Sequence, residues 1–215
     1  MNKLTDKIND YCLNKFNGEL FEFLSADEVL DTKINYDVGL LNTLTPSGMP
    51  RHQLRLKIGC VMILLRTLDK DNGLSNGTRL VLTKVAKNLL RCRIINTNKY
   101  VFIPRILNDG GKLLPFRLRR CQYPVRLAFA ITINKSQGQT FAKMGLYLPT
   151  PVFAHGQLYV ALSRVGSKDR VTVFLRDKDG FKTDKTKNIV FTEALQNIQE
   201  PRTLLLPPRK KRRLL

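Results

Sequence analysis

Metal and disulfide chemistry are what this sequence is least equipped for. Its 215 residues include four cysteines, Cys12, Cys60, Cys92 and Cys121, and two histidines, His52 and His155. No two cysteines form a C-x-x-C pair, and a zinc site needs clustered ligands, so no metal is expected. Each cysteine reads instead as a small buried hydrophobe in a reducing compartment. Apolar runs are short: none approaches the roughly 18 residues of a membrane span, and charges at Lys3 and Asp6 stand where a signal peptide needs an apolar core. No membrane partner is expected, and cytoplasm or nucleus is the default. A P-loop, G-x-x-x-x-G-K-[ST], is also missing. Lys135-Ser136 follows Asn134 with Phe129 at the first glycine position, and Gly111-Lys112 is followed by Leu113, which has no hydroxyl for magnesium.

Acidic charge is scarce too, with 17 Asp and Glu against 37 Lys and Arg, a formal net charge of +20 and a pI near 10.2. A soluble chain with this balance is expected to meet an anionic partner, nucleic acid before others. The excess is uneven: residues 1–40 hold four basic and eight acidic side chains, and the remainder 33 against nine. Whatever binds phosphate lies after residue 40. At 43% apolar the chain has material for a core.

Along the chain, apolar residues at Leu4, Ile8, Tyr11, Cys12 and Phe16 predict a short amphipathic helix over 1–16, stopped by Gly18. A strand is expected over 20–24, then an irregular segment reaching the Pro- and Gly-rich 42–50, a module boundary. Short β-type runs at 54–65, 78–85, 89–96 and 100–103, with turn signals at Asp71-Asn72-Gly73 and Asn76-Gly77, suggest a small barrel. Beyond 123 the pattern changes to apolar runs at 125–133, 144–148 and 171–175 separated by helix- or turn-like segments, which argues for a parallel α/β sheet. The proline-led basic tail, 201–215, is expected to be disordered, with Arg209, Lys210, Lys211, Arg212 and Arg213 as a nuclear localisation signal or a non-specific electrostatic arm.

Two constellations carry chemistry. In Ile133-Asn134-Lys135-Ser136-Gln137-Gly138-Gln139-Thr140, Lys135 suits a backbone phosphate as a point charge. Ser136, Gln137 and Thr140 offer short polar donors, and Gly138 permits close approach. Taken alone, the same residues also suit an ordinary solvated turn. In Gly156-Gln157-Leu158-Tyr159-Val160-Ala161-Leu162-Ser163-Arg164, a small amphipathic helix presents an arginine, with Gln157 and Tyr159 spaced to orient the segment; a capping or surface-pair role is the plain alternative. Four arginines, Arg117, Arg119, Arg120 and Arg126, fall within ten residues that contain no acid and are candidates for phosphate contact. Lys57, Arg66, Arg79, Lys84, Lys87, Arg91, Arg93 and Lys99, with Tyr100 or Phe102 as a stacking face, suit either a basic groove or the solvated faces of half-buried strands. Asp27-Glu28 superficially resembles a magnesium-binding acidic pair, but Ser25 interrupts its apolar run and it reads as a decoy.

The two constellations, in this order, resemble the fifth and sixth motifs of the superfamily 1 DNA helicases of the Pif/RecD branch, especially the Pif-type helicases of Helitron transposons. From about residue 4 to 175 the chain is similar to the C-terminal half of such a helicase. Residues 5–10 resemble the end of its fourth motif, and 54–66 with Asn76-Gly77-Thr78-Arg79 its inserted SH3-like barrel. The resemblance implies an α/β fold with one discontinuous RecA-like parallel-sheet domain, 1–50 and 123–200, interrupted by the barrel at 51–122. It also implies that Lys135, Ser136, Gln137 and Gly138 lie between a single DNA strand and a nucleotide, and that Arg164 is an arginine finger for the γ-phosphate held by the partner motor domain. ATP and Mg2+ serve the full-length family in 5′-to-3′ movement on single-stranded DNA, in DNA repair, recombination and telomere maintenance in the nucleus. This chain, lacking the ATP-binding N-terminal motor domain that would be its partner, is expected to bind neither and to be inactive alone. A non-enzymatic nucleic-acid-binding protein derived from a transposon helicase is the second reading, and a basic ribosomal or chromatin protein the third.

Overall fold

A computed structural model describes residues 2–30, 36–110, 114–177 and 179–191. The tail and the Gly111-Lys112 segment lie outside them. Two compact units divide between Lys135 and Ser136, whereas the sequence placed boundaries at 50 and 122.

In the first unit, helix α1 (Asn2–Lys15) is followed by strands β1 (Leu20–Leu24) and β2 (Ala26–Leu30), helix α2 (Val38–Thr43), and strands β3 (Gln53–Lys57), β4 (Val61–Leu64), β5 (Arg79–Val85), β6 (Leu89–Ile94), β7 (Tyr100–Pro104), β8 (Ile106–Asp109), β9 (Arg117–Gln122) and β10 (Val125–Leu127). Three antiparallel sheets result: β1-β3, β10-β4-β5-β6-β7 and β2-β9-β8. These sheets are open, where the sequence suggests a small barrel. Period-2 alternation explains the pairing. Leu80 and Leu82, then Leu90, Cys92 and Ile94, then Val101 and Ile103 all point to one side and pack with Leu54, Leu56, Met62 and Leu13 of α1 in a single core. The Asn76-Gly77 signal falls on the connection from β4 to β5, where Gly77 takes φ +93°, a conformation that strains other residues.

Several expectations are corrected. The segment expected to be irregular contains β2 and α2; β2 pairs with β9, about 90 residues away, and Asp37 caps α2 by accepting from the Gly39 N–H at 2.9 Å. The 54–65 run is two strands, broken where Gly59 turns the chain. The apolar run at 125–133 supplies only β10, which pairs antiparallel with β4 rather than joining a parallel sheet. The buried face of α1 is set by Asn9 and Leu13, leaving Leu4 and Tyr11 exposed.

The second unit contains β11 (Met144–Leu148), helix α3 (Gln157–Leu162), β12 (Val171–Arg176) and β13 (Lys182–Thr183). β11 and β12 pair in parallel from Met144↔Val171 to Leu148↔Leu175, with α3 in the crossover between them, as the α/β pattern predicts. β13 adds an antiparallel edge.

Candidate nucleic-acid interface

In the second unit, Arg164 stands two residues past the end of α3 and fastens the turn that follows Gly138. Its Nε donates to Val160 O at 2.8 Å, one terminal nitrogen to Gln139 O at 3.4 Å and the other to Ser163 Oγ at 2.8 Å. Its own carbonyl accepts from the Phe141 N–H at 2.8 Å. The two constellations picked out in the sequence are thereby joined. Gly138 takes φ +75° with open space around it, and Gln139 N–H closes the turn onto Ser136 O at 3.0 Å. Ser136 is buried, while Gln137, Gly138 and Thr140 are exposed. Gln157 and Tyr159 do not act together: Gln157 is buried, its Oε1 accepting from the Phe153 N–H at 3.1 Å, and Tyr159 is 73% exposed on the other side of α3.

Lys135 belongs to the first unit and is the third residue of the 3₁₀ turn Ile133–Ser136, its N–H donating to Thr132 O at 3.0 Å. Its side chain is exposed, yet partial desolvation by its neighbours, and then the charge of Arg126, lowers its ammonium from the ordinary lysine range, with Asp6 partly opposing them. The anchor for this segment lies five residues earlier. Buried Asn9 accepts from the Ala130 N–H at 2.8 Å and donates to Ala130 O at 3.0 Å, so its side-chain amide imitates a strand partner. Nothing in the helical periodicity marks that role; a polar residue at the centre of an apolar helix face was the available signal.

Of the arginine cluster, Arg120 is corrected outright. It is fully buried, and its five N–H donors meet Asp27 Oδ1 (2.8 Å), Asp27 Oδ2 (2.6 Å), Leu41 O (3.0 Å), Leu44 O (2.9 Å) and Pro50 O (3.1 Å). The guanidinium has no donor left for a phosphate. Arg119 pairs with Asp109 at 3.0 Å and Glu28 at 3.4 Å, and Arg126 pairs with Asp6. Arg117 is exposed. The run lacks acidic neighbours in sequence, but pairing with β2 and β8 and packing of α1 bring them in space. Asp27, the decoy, spends its carboxylate on Arg120.

Arg51 reaches Asp6 at 3.1 Å and Asp10 at 3.2 Å beside a cleft of about 120 Å³. That is small against the roughly 300–1,000 Å³ of small-molecule sites.

Residues 39–85 match the family model of the DNA helicase Pif1 2B domain. The ATP-dependent DNA helicase PIF1 of Xenopus laevis is 33% identical over 175 residues, which take in 77% of this chain and 25% of the relative. A Candida albicans Pif1 helicase structure shares the fold at TM-score 0.63 and 22% identity, covering 93% of this chain and 48% of that one. A Bacteroides Pif1 helicase in complex with ADP-AlF3 and ssDNA does so at 0.61 and 23%, covering 91% and 42%. The chain thus spans a quarter of the curated relative's length. The 2B-domain match and the sequence identity over three quarters of the chain support the Pif1 helicase family as its relatives, and the solved helicases share its mixed α/β fold.

Proposed function

We propose that this chain acts as the second motor domain of an ATP-dependent 5′-to-3′ DNA helicase, holding single-stranded DNA and completing a nucleotide site carried by a separate N-terminal motor domain. In this reading residues 1–50 and 123–200 form the discontinuous RecA-like domain, with 51–122 as its SH3-like insertion. Lys135, Ser136, Gln137, Gly138 and Thr140 face the strand. Arg164 reaches the γ-phosphate, where a permanently charged planar group stabilises charge spread over several oxygens. In this reading ATP and Mg2+ are held by the N-terminal motor domain of such a helicase, whose P-loop lies outside these 215 residues.

The observation that carries this reading is the double hold of Arg164 on the Gln139–Phe141 segment. Among the described residues, three of the guanidinium's five donors are engaged, which leaves two for a phosphoryl group. A shift of Arg164 toward or away from a phosphate would therefore pull on the turn beyond Gly138, a mechanical link from hydrolysis to DNA. The relatives are named as ATP-dependent DNA helicases and one solved relative holds ssDNA, which supports the assignment of partners. Repair, recombination and telomere maintenance in the nucleus are the settings such an activity serves.

Binding to a fluorescent single strand, followed over a range of salt, tests the DNA half of the proposal. Log affinity is expected to fall linearly with log salt, by about 0.7 per phosphate contacted, and Lys135→Ala is expected to weaken binding and make the line shallower. A flat line, or no change in Lys135→Ala, sinks it. A second reading, a non-enzymatic nucleic-acid-binding protein, is favoured by the net charge of +20. It predicts the same salt line but no gain of ATP turnover when a P-loop motor domain is supplied.

A further inference from the structure

The ladder β5-β6-β7 turns one face to the core and the other to water. Between Asp71 and Asp109 the sequence has no acidic residue and seven basic ones: Arg79, Lys84, Lys87, Arg91, Arg93, Lys99 and Arg105. Strand register lines up the outward side chains. Lys84 lies opposite Arg91, which lies opposite Phe102, and Arg93 lies opposite Tyr100. Directly opposed residues share a face, so cations and aromatic rings alternate across it.

Two of those rings stand in water at a cost. Tyr100 is 52% and Phe102 58% exposed, while Val101 and Ile103, between and after them, are buried. The Arg91 guanidinium sits 4.4 Å from the Tyr100 ring centroid, a cation held over a π-face. Residues i and i+2 of a strand are about 7 Å apart. That is about twice the 3.4 Å rise per nucleotide of a duplex strand, so the two rings fit successive bases of a stretched, unpaired strand rather than a stacked duplex.

We propose that the outward face of β5-β7 is a stacking platform for single-stranded nucleic acid, with Tyr100 and Phe102 under unpaired bases and Lys84, Arg91 and Arg93 on the phosphates between them. Half-exposed rings, Phe102 and Tyr100 with Arg91 over one of its two faces, supply affinity that is tolerant of sequence, and the flanking cations supply attraction without reading bases. The absence of acid across 37 residues keeps the field over this face of one sign. This site is separate from the turn around Lys135 and goes beyond the motor reading: a strand bound here is held by base stacking, whereas the turn holds backbone.

The chain contains no tryptophan, so Phe102→Trp installs a single reporter on the platform. Titration of the full chain with a thymidine oligomer is expected to quench its fluorescence to saturation, with a uridine oligomer acting alike because stacking ignores the sugar. Quenching is expected to persist when Lys135→Ala is added, which separates failure of this site from failure of the turn. The paired variant Tyr100→Leu, Phe102→Leu keeps apolar strand residues and is expected to bind a labelled strand about 5- to 150-fold more weakly with an unchanged salt slope, whereas Arg91→Gln makes the slope shallower by about 0.7. Absence of quenching once labelled DNA has saturated the protein would overturn the proposal. Equal quenching by a duplex, or wild-type affinity in the double leucine variant, would overturn it as well.

Discussion

The Arg120 NH2 donates to Asp27 Oδ2 across 2.6 Å, with neither side chain reached by water. Three main-chain carbonyls, Leu41, Leu44 and Pro50, take the remaining donors, so one guanidinium ties β9 to β2, α2 and the loop before β3. Removing one member of such a pair strands the other charge in the interior, at a cost of about 3–5 kcal/mol. Arg120→Lys keeps the charge but not the fork, and Asp27→Asn keeps the shape but not the charge. Both are expected to lower the unfolding free energy read from urea curves of unchanged slope, Asp27→Asn by that order and Arg120→Lys by less, since its charge stays but most of its donors are lost or misplaced. Replacing both, as Asp27→Leu with Arg120→Met, should cost less than the two single changes summed, though still something, because the three carbonyls lose their donors. A loss under about 1 kcal/mol in either single variant would show the pair to be solvated.

What the sequence made legible here was local. Turn chemistry at Asn76-Gly77 and alternation through β5, β6 and β7 depend on neighbours a few residues away, and the structure has those elements where they were expected. The joining of Arg164 to the Gln139 turn had no signal in the sequence, because the two segments are 25 residues apart and meet only in the fold. Arg120 was misread because an arginine among arginines looks solvated until the period-2 pattern is followed: Leu118, Arg120 and Gln122 all point inward from β9. Its partner Asp27 is 93 residues away, and a single sequence does not indicate such a pairing. β2 was missed for the same reason, since its one strand partner among the described residues is β9.

The thiols give a chemical check on the core. All four are free; Cys60 and Cys92 are fully buried and Cys12 and Cys121 partly so. Burial pushes the Cys60 thiol from 9.0 up to about 11 and Cys92 up to about 12. Because the folded values are raised, the stability these thiols contribute is complete below pH 9, where both folded and unfolded forms are protonated. It is lost as pH rises from 9 toward 11 and 12, where the unfolded chain ionises first. Urea midpoints measured from pH 8 to 11 are expected to fall above 9, and to fall less in Cys60→Ala, Cys92→Ala. A thiol reagent at pH 8 should label Cys12 and Cys121 quickly, and Cys60 and Cys92 only on unfolding; four equally fast thiols would contradict the packing.

Arg164 separates motor from scaffold. When the chain is joined to a P-loop motor domain of a relative, Arg164→Ala is expected to lower DNA-stimulated ATP turnover by roughly 10³-fold or more, the range of arginine fingers elsewhere, with single-strand affinity changed less than about twofold. Arg164→Lys should not restore turnover, because an ammonium lacks the planar fork. Equal losses in turnover and in DNA affinity would instead mean that the bonds to Val160, Gln139 and Ser163 are the residue's whole purpose.

The bond pair between Asn9 and Ala130 decides how firmly Lys135 is presented. Asn9 is 3% exposed, and its amide satisfies both main-chain groups of a residue that follows β10, where the described residues supply no strand partner. Asn9→Ala leaves that N–H and C=O without their partner, at about 1–3 kcal/mol for each group that stays dry. Asn9→Asp keeps an acceptor for the N–H but sets a carboxylate against the carbonyl and should be no better. In either variant the Ala130 amide is expected to exchange with solvent orders of magnitude faster than in the parent while the β5-β7 amides keep their protection, because only the segment leading to Lys135 is released. Single-strand affinity should fall with it, as Lys135 loses its fixed position, and the salt slope should move toward that of Lys135→Ala. Unchanged exchange at Ala130 would show that the turn holds itself. Faster exchange with unchanged DNA affinity would show that Lys135 needs no such anchor to meet a phosphate.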